Sequence, residues 1–253
     1  MREPILLNPV LSHTFNKQAK TLNIGGITAF TATDYPGKLA SVLFVQGCPW
    51  RCAYCQNPHL QERKPADAAA NITWEQIMAL LQRRIGLIDA VVFSGGEPTM
   101  DPALPHAINE VKQLGFQIGL HTACIYPRQL RDILPLVDWV GFDIKTGFDD
   151  YEAITGIPHS GRQVSDCLNA IIASGVEYEC RTTIHPSLHP ETQLIALAHS
   201  LAQRGVKNYV WQLFRAQGCT NSKLPPSPLG YPSLETICLV TGLFSTFSLR
   251  HAN

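Results

Sequence analysis

The stretch Trp139-Val-Gly-Phe-Asp-Ile-Lys145 decides the fold. Read as a strand, it alternates strictly between an apolar face and a polar face, because successive side chains of a strand point to opposite sides. The apolar face carries Val140, Phe142 and Ile144, and the opposite face carries Gly141, Asp143 and Lys145. A parallel sheet covered by helices on both faces should be apolar throughout. The pattern therefore predicts strands that pack on helices outside and line a wet cavity inside.

The same alternation recurs in neighbouring segments of the chain. The further polar positions expected on the inner side are Gln117, His121, Glu179, Arg181, Thr183 and Gln212. A closed eight-stranded barrel fills its interior with branched apolar side chains. A polar interior therefore favours a curved, incomplete barrel over a closed one.

An amphipathic helix, a glycine and a short apolar strand repeat along the chain, and glycine after a helix is a common stop signal. Strands are predicted at Ser41–Gln46, Ile88–Ser94, Phe116–Thr122, Trp139–Lys145, Val176–Ile184 and Lys207–Phe214. Alternating strands and helices indicate parallel βαβ units. Six such strands are too few for a closed eight-stranded barrel, so we expect an α/β fold with an open-sided, partial (βα)6 TIM-like barrel.

The chain of 253 residues is long enough for one sizeable core. We expect an N-terminal extension over residues 1–21 and one barrel domain over residues 22–253. Within the domain, the sequence predicts an extra strand or hairpin at Leu22–Thr33, a long loop at Ala216–Ser233 and a helix at Leu234–Phe247.

The formal net charge is zero, which predicts no general attraction to nucleic acid or to an anionic membrane. No apolar run approaches the ~20 residues of a membrane-spanning helix, and the first residues make a poor signal peptide. The eight cysteines form one cluster and five scattered singles, which fits a reducing compartment better than a disulfide framework. We therefore expect a cytoplasmic protein.

Three cysteines lie in the run Gly47-Cys-Pro-Trp-Arg-Cys-Ala-Tyr-Cys-Gln-Asn-Pro58, directly after the first predicted strand. Cys48, Cys52 and Cys55 can hold three corners of an iron–sulfur cube and leave the fourth iron open to a ligand. A zinc site or a non-catalytic iron–sulfur carrier is the alternative. Structural zinc needs four ligands, and a second ligand pair at finger spacing is missing.

Other candidate residues follow the next strands. Gly95 and Gly96 would let the backbone approach a ligand closely, and Glu97 would offer a carboxylate at the cavity mouth. Asp143 and Lys145, two apart on one strand, fit either an inward ion pair or a ligand site, and Arg181 carries the same two readings. Tyr54 either stacks on a base or packs beneath a cluster, and His121 is a possible ligand contact.

This combination of motifs resembles the radical S-adenosylmethionine (SAM) superfamily. The closer resemblance is to activating proteins of the anaerobic, glycyl-radical class of ribonucleotide reductase, and it runs from about Ile24 to Phe214. Beyond the cysteine run, the segments that carry it are Asp34-Tyr-Pro-Gly37, Val45-Gln-Gly-Cys48, Ser94-Gly-Gly-Glu-Pro98, Val137-Asp-Trp-Val-Gly-Phe-Asp-Ile-Lys145 and Glu179-Cys-Arg-Thr-Thr183.

The resemblance implies a [4Fe–4S] cluster on Cys48, Cys52 and Cys55, with SAM bound at the open iron. By the same resemblance, the expected SAM contacts are Tyr54, Gly95, Gly96, Glu97, Thr122, Asp143, Lys145, Arg181 and Gln212. Reductive cleavage of SAM would yield a 5′-deoxyadenosyl radical that takes hydrogen from a glycine of the partner enzyme, anaerobic ribonucleotide reductase. A flavodoxin- or ferredoxin-type protein would donate the electron. The alternative is a small-molecule enzyme that resembles 7-carboxy-7-deazaguanine synthase.

Overall fold

The computed structural model describes residues 21–63 and 72–251, and eight strands in it form one sheet in chain order. The strands are β1 (Ile24–Thr31), β2 (Ala40–Val45), β3 (Ala90–Gly95), β4 (Gln117–Thr122), β5 (Trp139–Asp143), β6 (Glu177–Ile184), β7 (Asn208–Leu213) and β8 (Thr246–Arg250). The helices are α1 (Trp74–Gln82), α2 (Leu104–Gln113), α3 (Pro127–Ile133), α4 (Tyr151–Thr155), α5 (Ser160–Ser174), α6 (Glu191–Gln203) and α7 (Leu234–Thr241). Short 3₁₀ turns lie at Pro58–Leu60, Pro98–Met100 and Leu134–Leu136.

The sheet is parallel from β2 to β8, and β1 runs antiparallel to β2 at one edge. Among the described residues, no pairing joins β1 to β8, so the sheet does not close on itself. The prediction of an α/β fold with an open partial barrel is therefore confirmed. β8 adds a seventh parallel strand to the six that the sequence predicts.

Local sequence signals set the helix boundaries. Thr73 and Gln76 form a reciprocal capping box at the start of α1, and Ile77 and Leu81 bury its inner face. Gly175 ends α5 in the left-handed conformation, with φ of 72°. Both boundaries are therefore set by residues close to them in the sequence.

In the described residues, a hydrophobic cluster lies on each side of the sheet. Outside, fully buried strand residues such as Phe93, Leu120 and Phe142 pack in one cluster with helix residues. Inside, a smaller cluster at the strand beginnings contains Tyr35, Ala40, Val42, Ala90, Val92 and Trp139. The Tyr35 and Trp139 rings stack there with centroids 4.9 Å apart. Each fully buried large aliphatic side chain stabilises the fold by about 1.5–3 kcal/mol.

The C-terminal region corrects one prediction. The helix expected at Leu234–Phe247 ends at Thr241, and Thr246–Arg250 is instead the edge strand β8. The alternation of Phe247 and Leu249 with polar neighbours is a strand pattern. Phe247 packs edge-on against Trp211 of β7, with ring centroids 5.0 Å apart. This contact holds the segment as a strand.

At the other end of the domain, the segment Leu22–Thr33 forms the single strand β1 rather than a hairpin. Residues 1–20 of the expected N-terminal extension lie outside the described residues. No helix in the described ranges has both the length and the apolar character that crossing a membrane requires.

Candidate active site

The loop that carries the cysteines follows β2 and is fixed by backbone hydrogen bonds at both of its ends. The Gly47 and Cys48 N–H groups donate to the carbonyls of Leu60 and Gln61, at 2.8 and 3.0 Å. Farther along, Arg51 N–H and Ala53 N–H donate to the last turn of α4, at 3.2 and 3.0 Å. The cysteine loop therefore has a fixed position relative to both β2 and α4.

The segment after β7 covers the outer side of the cysteine loop. Asn221 Nδ2 donates to the Ala53 carbonyl at 3.0 Å, and Gln56 Nε2 donates to the Arg215 carbonyl at 3.1 Å. The long loop predicted at Ala216–Ser233 thus contacts the cysteine loop directly. This contact joins two parts of the chain that are about 160 residues apart in sequence.

Cys48, Cys52 and Cys55 are free, half-buried thiols. Burial raises the pKa of Cys48 to about 12 and raises the pKa of Cys52 as well. Without a metal these two thiols stay protonated, and metal binding must release their protons. In the part of the chain that the structure describes, no three Cys, His, Asp or Glu side chains are close enough to hold a single metal ion. The trio is therefore not a preformed mononuclear site, whereas thiolates bound to different irons of a cube need not converge on one point.

The thiols face a cavity of about 190 Å³ at the carboxyl ends of the strands. All the predicted cluster and SAM-binding residues line this cavity except Glu97 and Gln212. Those that line it are Cys48, Cys52, Cys55, Tyr54, Gly95, Gly96, Thr122, Asp143, Lys145 and Arg181. The fold therefore brings together residues from five separate segments of the chain.

The glycine turn after β3 packs directly against the cysteine loop. Gly95 has φ of +117°, which L side chains rarely adopt, and a Cβ on Gly96 would overlap the Gly47 carbonyl. The Glu97 N–H donates to that same carbonyl at 2.8 Å. Glycine at both positions thus lets two loops meet at one wall of the cavity.

The prediction that Glu97 offers its carboxylate at the cavity mouth is wrong, because the residue is fully buried. Its Oε1 accepts hydrogen bonds from Thr99 Oγ1 at 2.5 Å and Thr122 Oγ1 at 2.9 Å, and its Oε2 accepts one from the Ala123 N–H at 2.8 Å. Burial raises the pKa of Glu97, and these donors oppose the rise. The side chain ties the end of β3 to the end of β4 and so supports the cavity wall.

Three charged side chains form one cluster in the same cavity. Arg181 Nε lies 3.1 Å from Asp143 Oδ1, and Lys145 Nζ lies 3.5 Å from Asp143 Oδ2. Burial alone would raise the pKa of Asp143, but the charges of Arg181 and Lys145 outweigh it and the net shift is downward. The Asp143 carboxylate thus forms ion pairs with two buried cations. The cluster carries one excess positive charge, which an anionic ligand can balance.

Lys145 differs from its prediction in one respect. β5 ends at Asp143, so Lys145 lies beyond the strand rather than on it. Its side chain still reaches the cavity, where Nζ is 5.4 Å from the centre of the Tyr54 ring. Tyr54 itself is buried.

His121, at the end of β4, is neutral in this environment. Burial and the nearby charge of Arg181 lower its pKa to about 3. Its Nε2 lies 2.9 Å from the Asp34 carbonyl, which can only accept, so Nε2 carries the hydrogen. Its Nδ1 then accepts from Ser94 Oγ at 3.2 Å. His121 lines the cavity with both ring nitrogens already occupied.

Gln212 lies in a second cavity of about 740 Å³, which adjoins the first. The two cavities share four lining residues, namely Gln56, His121, Arg181 and Thr183. The second cavity also exposes Asp34, Arg215 and Arg250. Arg250 forms a bidentate ion pair with the carboxylate of the buried Glu179. Its Nη1 and Nη2 donate to Oε1 and Oε2 at 2.8 and 2.5 Å.

Sequence reasoning missed two residues that shape the site. The hydroxyl of Tyr151, on α4, accepts a hydrogen bond from the Lys145 backbone N–H at 2.8 Å. His189, after β6, contacts the Lys145 carbonyl at 2.7 Å. Neither residue belongs to a motif, and no periodic pattern in the sequence singles them out.

The comparisons with known proteins agree with this geometry. The model of the radical SAM superfamily matches residues 42–196, more than half of the chain. A protein of Methanocaldococcus jannaschii, provisionally named a glycyl-radical enzyme activating enzyme, is 29% identical over 186 residues, which cover 70% of this chain and 75% of that protein. The pyruvate formate-lyase-activating enzyme of Clostridium pasteurianum is 33% identical over 171 residues, covering 65% of this chain and 69% of that enzyme.

Solved structures support the fold. QueE from Escherichia coli covers 92% of this chain and 94% of its own, with a TM-score of 0.54 and 16% identity. SuiB of Streptococcus suis bound to S-adenosylmethionine covers 82% of this chain and 48% of its own, with a TM-score of 0.60 and 14% identity.

The chain belongs to the radical SAM superfamily. Its cofactors are accordingly a [4Fe–4S] cluster and SAM, as the sequence predicts. The residues present fit both groups, because three free thiols and a buried cation excess face one cavity.

Proposed function

We propose that this protein is an activating enzyme that generates a glycyl radical on anaerobic ribonucleotide reductase. The observation that carries the proposal is the shared cavity, in which three free thiols face the half-buried Asp143 and its buried partners Lys145 and Arg181. Similarity to two activating enzymes supports a glycyl-radical enzyme as the substrate. The choice of the reductase rests on the segments from Asp34-Tyr-Pro-Gly37 to Glu179-Cys-Arg-Thr-Thr183 that resemble reductase activators.

Cys48, Cys52 and Cys55 would hold the cluster, and the other residues that line the same cavity would hold SAM. When bound, the cluster and SAM together supply the one-electron chemistry that removes a hydrogen atom from a glycine of the partner. The backbone of Gly95 and Gly96 leaves room for the methionine end of SAM. Glu97 would join the ends of β3 and β4 rather than contact the ligand.

The charged cluster would bind the carboxylate of SAM. Asp143 holds Lys145 and Arg181 in place, and the remaining positive charge attracts the ligand. Because these cations are buried, water screens the attraction less than it would at the surface. Thr122 and Tyr54 complete the walls of the cavity. The chain's own contribution is therefore to bind and orient SAM away from bulk water.

The larger second cavity would admit the glycine-bearing segment of the partner. It adjoins the first cavity through Arg181 and His121, so a segment bound there would lie next to SAM. Gln212, Asp34 and Arg215 offer polar contacts to such a segment. Its volume of about 740 Å³ falls within the usual range of ligand sites.

A flavodoxin- or ferredoxin-type donor would reduce the cluster in the cytoplasm. The alternative is a small-molecule enzyme similar to 7-carboxy-7-deazaguanine synthase. The Thermococcus kodakarensis enzyme of that name is 30% identical over 121 residues, but these cover only 39% of this chain and 46% of that enzyme. The activating-enzyme similarities cover more of the chain, which favours the proposal.

The test mixes the reduced, cluster-loaded protein with SAM and anaerobic ribonucleotide reductase, and records the electron paramagnetic resonance (EPR) spectrum. We expect a glycyl-radical doublet that requires all three components. A second assay replaces the reductase by pyruvate formate-lyase to test which enzyme is the target. A doublet with pyruvate formate-lyase but not with the reductase would reassign the target. Turnover of a pterin without any protein substrate would favour the small-molecule alternative.

A further inference from the structure

The backbone of Lys145 is held by side chains rather than by a neighbouring strand. β5 ends at Asp143, and the Ile144 N–H makes a last bond to the Arg181 carbonyl at 2.8 Å. The Lys145 N–H then donates to the Tyr151 hydroxyl at 2.8 Å. The Lys145 carbonyl accepts from His189 Nε2 at 2.7 Å. Both backbone polar groups of this residue are therefore satisfied by two specific side chains.

We propose that Tyr151 and His189 are positioning residues that set the affinity for SAM by fixing Lys145. The inference rests on the proposed function, because it takes Lys145 as the cation that meets the SAM carboxylate. Neither residue needs to touch SAM. Both act by fixing the position of the Lys145 backbone, from which the side chain extends.

Tyr151 is itself held rigidly. It is 1% exposed, its ring meets Trp50 edge-on at 6.0 Å, and it stacks on Phe148 at 6.3 Å with 9° between the planes. Trp50 belongs to the cysteine loop, whose backbone also bonds to the last turn of α4. Tyr151 therefore fixes Lys145 relative to the three thiols. A ligand that binds both the cluster and Lys145 requires that spacing to be constant.

His189 holds the other side of the same backbone. It is 1% exposed, and because a carbonyl oxygen only accepts, Nε2 must carry the hydrogen that bonds to Lys145. Its Nδ1 accepts from the His185 N–H at 3.4 Å, and its own carbonyl accepts from the Tyr231 hydroxyl at 2.8 Å. The ring is thus fixed in one tautomer and one orientation.

Fixing the backbone matters because lysine has a long, flexible side chain. Lys145 Nζ already has two alternative neighbours, Asp143 at 3.5 Å and the Tyr54 ring at 5.4 Å. If the backbone moved, the ammonium group could keep these contacts from a different position and no longer reach the ligand. Preorganisation of this kind increases affinity by lowering the ordering cost of binding.

The test measures the dissociation constant of SAM by equilibrium dialysis with the full-length, cluster-loaded protein kept oxidised. Tyr151→Phe keeps the ring packing and removes the hydroxyl, and we expect binding about fivefold weaker, the loss that corresponds to one hydrogen bond. Tyr178→Phe is the matched control, because its hydroxyl accepts from the Lys207 N–H at 2.9 Å, at the opposite end of β6. The control should leave the SAM affinity unchanged. A merely structural role for Tyr151 would lower the melting temperature of both variants alike and spare the affinity of both.

A double-mutant cycle shows whether Tyr151 acts through Lys145. In the Lys145→Ala background, Tyr151→Phe should cause no further loss of affinity, since no ammonium remains to be positioned. For His189, the alanine variant should weaken binding more than His189→Gln, whose amide N–H can replace the imidazole donor. Iron content should stay at the wild-type level in every variant.

Two outcomes separate this inference from the proposed function. If Lys145→Ala weakens SAM binding while Tyr151→Phe and both His189 variants bind normally, the positioning role is overturned and the proposed function stands. If Lys145→Ala itself binds SAM normally, the assignment of Lys145 in the proposed function fails and the inference fails with it.

Discussion

The interior of the sheet has two regions that share the same strands but differ in chemistry. The lower interior, at the strand beginnings, is the apolar cluster of Tyr35, Ala40, Val42, Ala90, Val92 and Trp139. The upper interior, at the strand ends, carries His121, Asp143, Lys145 and Arg181. The first excludes water and stabilises the fold, whereas the second carries one excess positive charge that an anionic ligand can balance.

β5 contains both regions within five residues. Trp139 begins the strand in the apolar cluster, and Asp143 ends it in the charged one. Between them, a Cβ on Gly141 would lie 2.7 Å from the Trp139 ring and 2.8 Å from the Arg181 guanidinium. The first half of this strand therefore packs in the apolar cluster, and its last residue belongs to the charged cluster. Substitutions should therefore separate stability from ligand binding.

The largest effect is expected where the upper interior meets the cysteine loop. Replacing Cys48, Cys52 or Cys55 by Ala should abolish SAM cleavage and remove most of the iron, because only two thiolates remain to hold the cluster. Cys238→Ala, on the exposed face of α7, is the control and should retain both. Iron analysis and methionine release after anaerobic reconstitution measure the two quantities. Normal SAM cleavage by any of the three variants would show that the cluster is not bound by this loop.

The second effect concerns the buried charge. Lys145→Ala should weaken SAM binding by about 10- to 100-fold, as expected for loss of a charge-assisted hydrogen bond. The cluster should assemble normally, because Lys145 holds no iron. Equilibrium dialysis and the absorbance of the cluster give the two readings. An unchanged affinity for SAM would show that Lys145 does not bind SAM and has only a structural role in the ion pair with Asp143.

The third effect lies in the lower interior. Val92 is fully buried, and Val92→Ala should reduce the free energy of unfolding by about 1–3 kcal/mol through the cavity it leaves. SAM affinity, measured at a temperature where the variant is folded, should stay within about twofold of the wild type, because additivity holds for separate sites. Urea unfolding followed by circular dichroism provides the measurement. A variant that folds normally but fails to bind SAM would break the separation of the two regions.

The last effect is a pH dependence. The pKa of His121 is lowered to about 3 in the folded protein, chiefly by burial and then by Arg181. In the unfolded chain a histidine titrates near pH 6.5, so the unfolded state binds more protons between these values. The free energy of unfolding should therefore fall as the pH decreases from about 6.5 towards about 3.

His121→Gln removes this contribution, because glutamine does not titrate. Its unfolding free energy should depend less steeply on pH than that of the wild type, in urea titrations of the reduced, cluster-free protein. His199→Gln, on the exposed face of α6, is the matched control and should keep the wild-type slope. Equal slopes in the two variants would show that His121 is not held neutral.

Much of the upper interior could be predicted because its signals are local. The cysteine spacing, the glycine turn and the alternation on β5 all lie within short segments, and they point to Cys48, Gly95 and Asp143, which line one cavity. The helix caps at Thr73 and Gly175 are local in the same sense. Period-two alternation says which side a residue faces without any knowledge of its partners.

The errors arise where tertiary partners decide. The sequence predicts that Glu97 exposes its carboxylate. In the structure the carboxylate is buried and accepts a hydrogen bond from Thr122, which is 25 residues away in sequence. The sequence predicts Lys145 as a strand residue. In the structure, its backbone groups bond to the side chains of Tyr151 and His189 instead of to a neighbouring strand. The C-terminal helix was overextended because the packing of Phe247 on Trp211 is not visible in the sequence.

The unpaired edges of β1 and β8 have a consequence for the kind of substrate that can reach the interior. A polypeptide loop has both ends attached to its own protein, so it cannot be threaded through a closed ring. Because β1 and β8 do not pair in the described chain, the sheet is not such a ring, and a loop can approach its interior from the side between these two edges. It can leave by the same route without either protein unfolding.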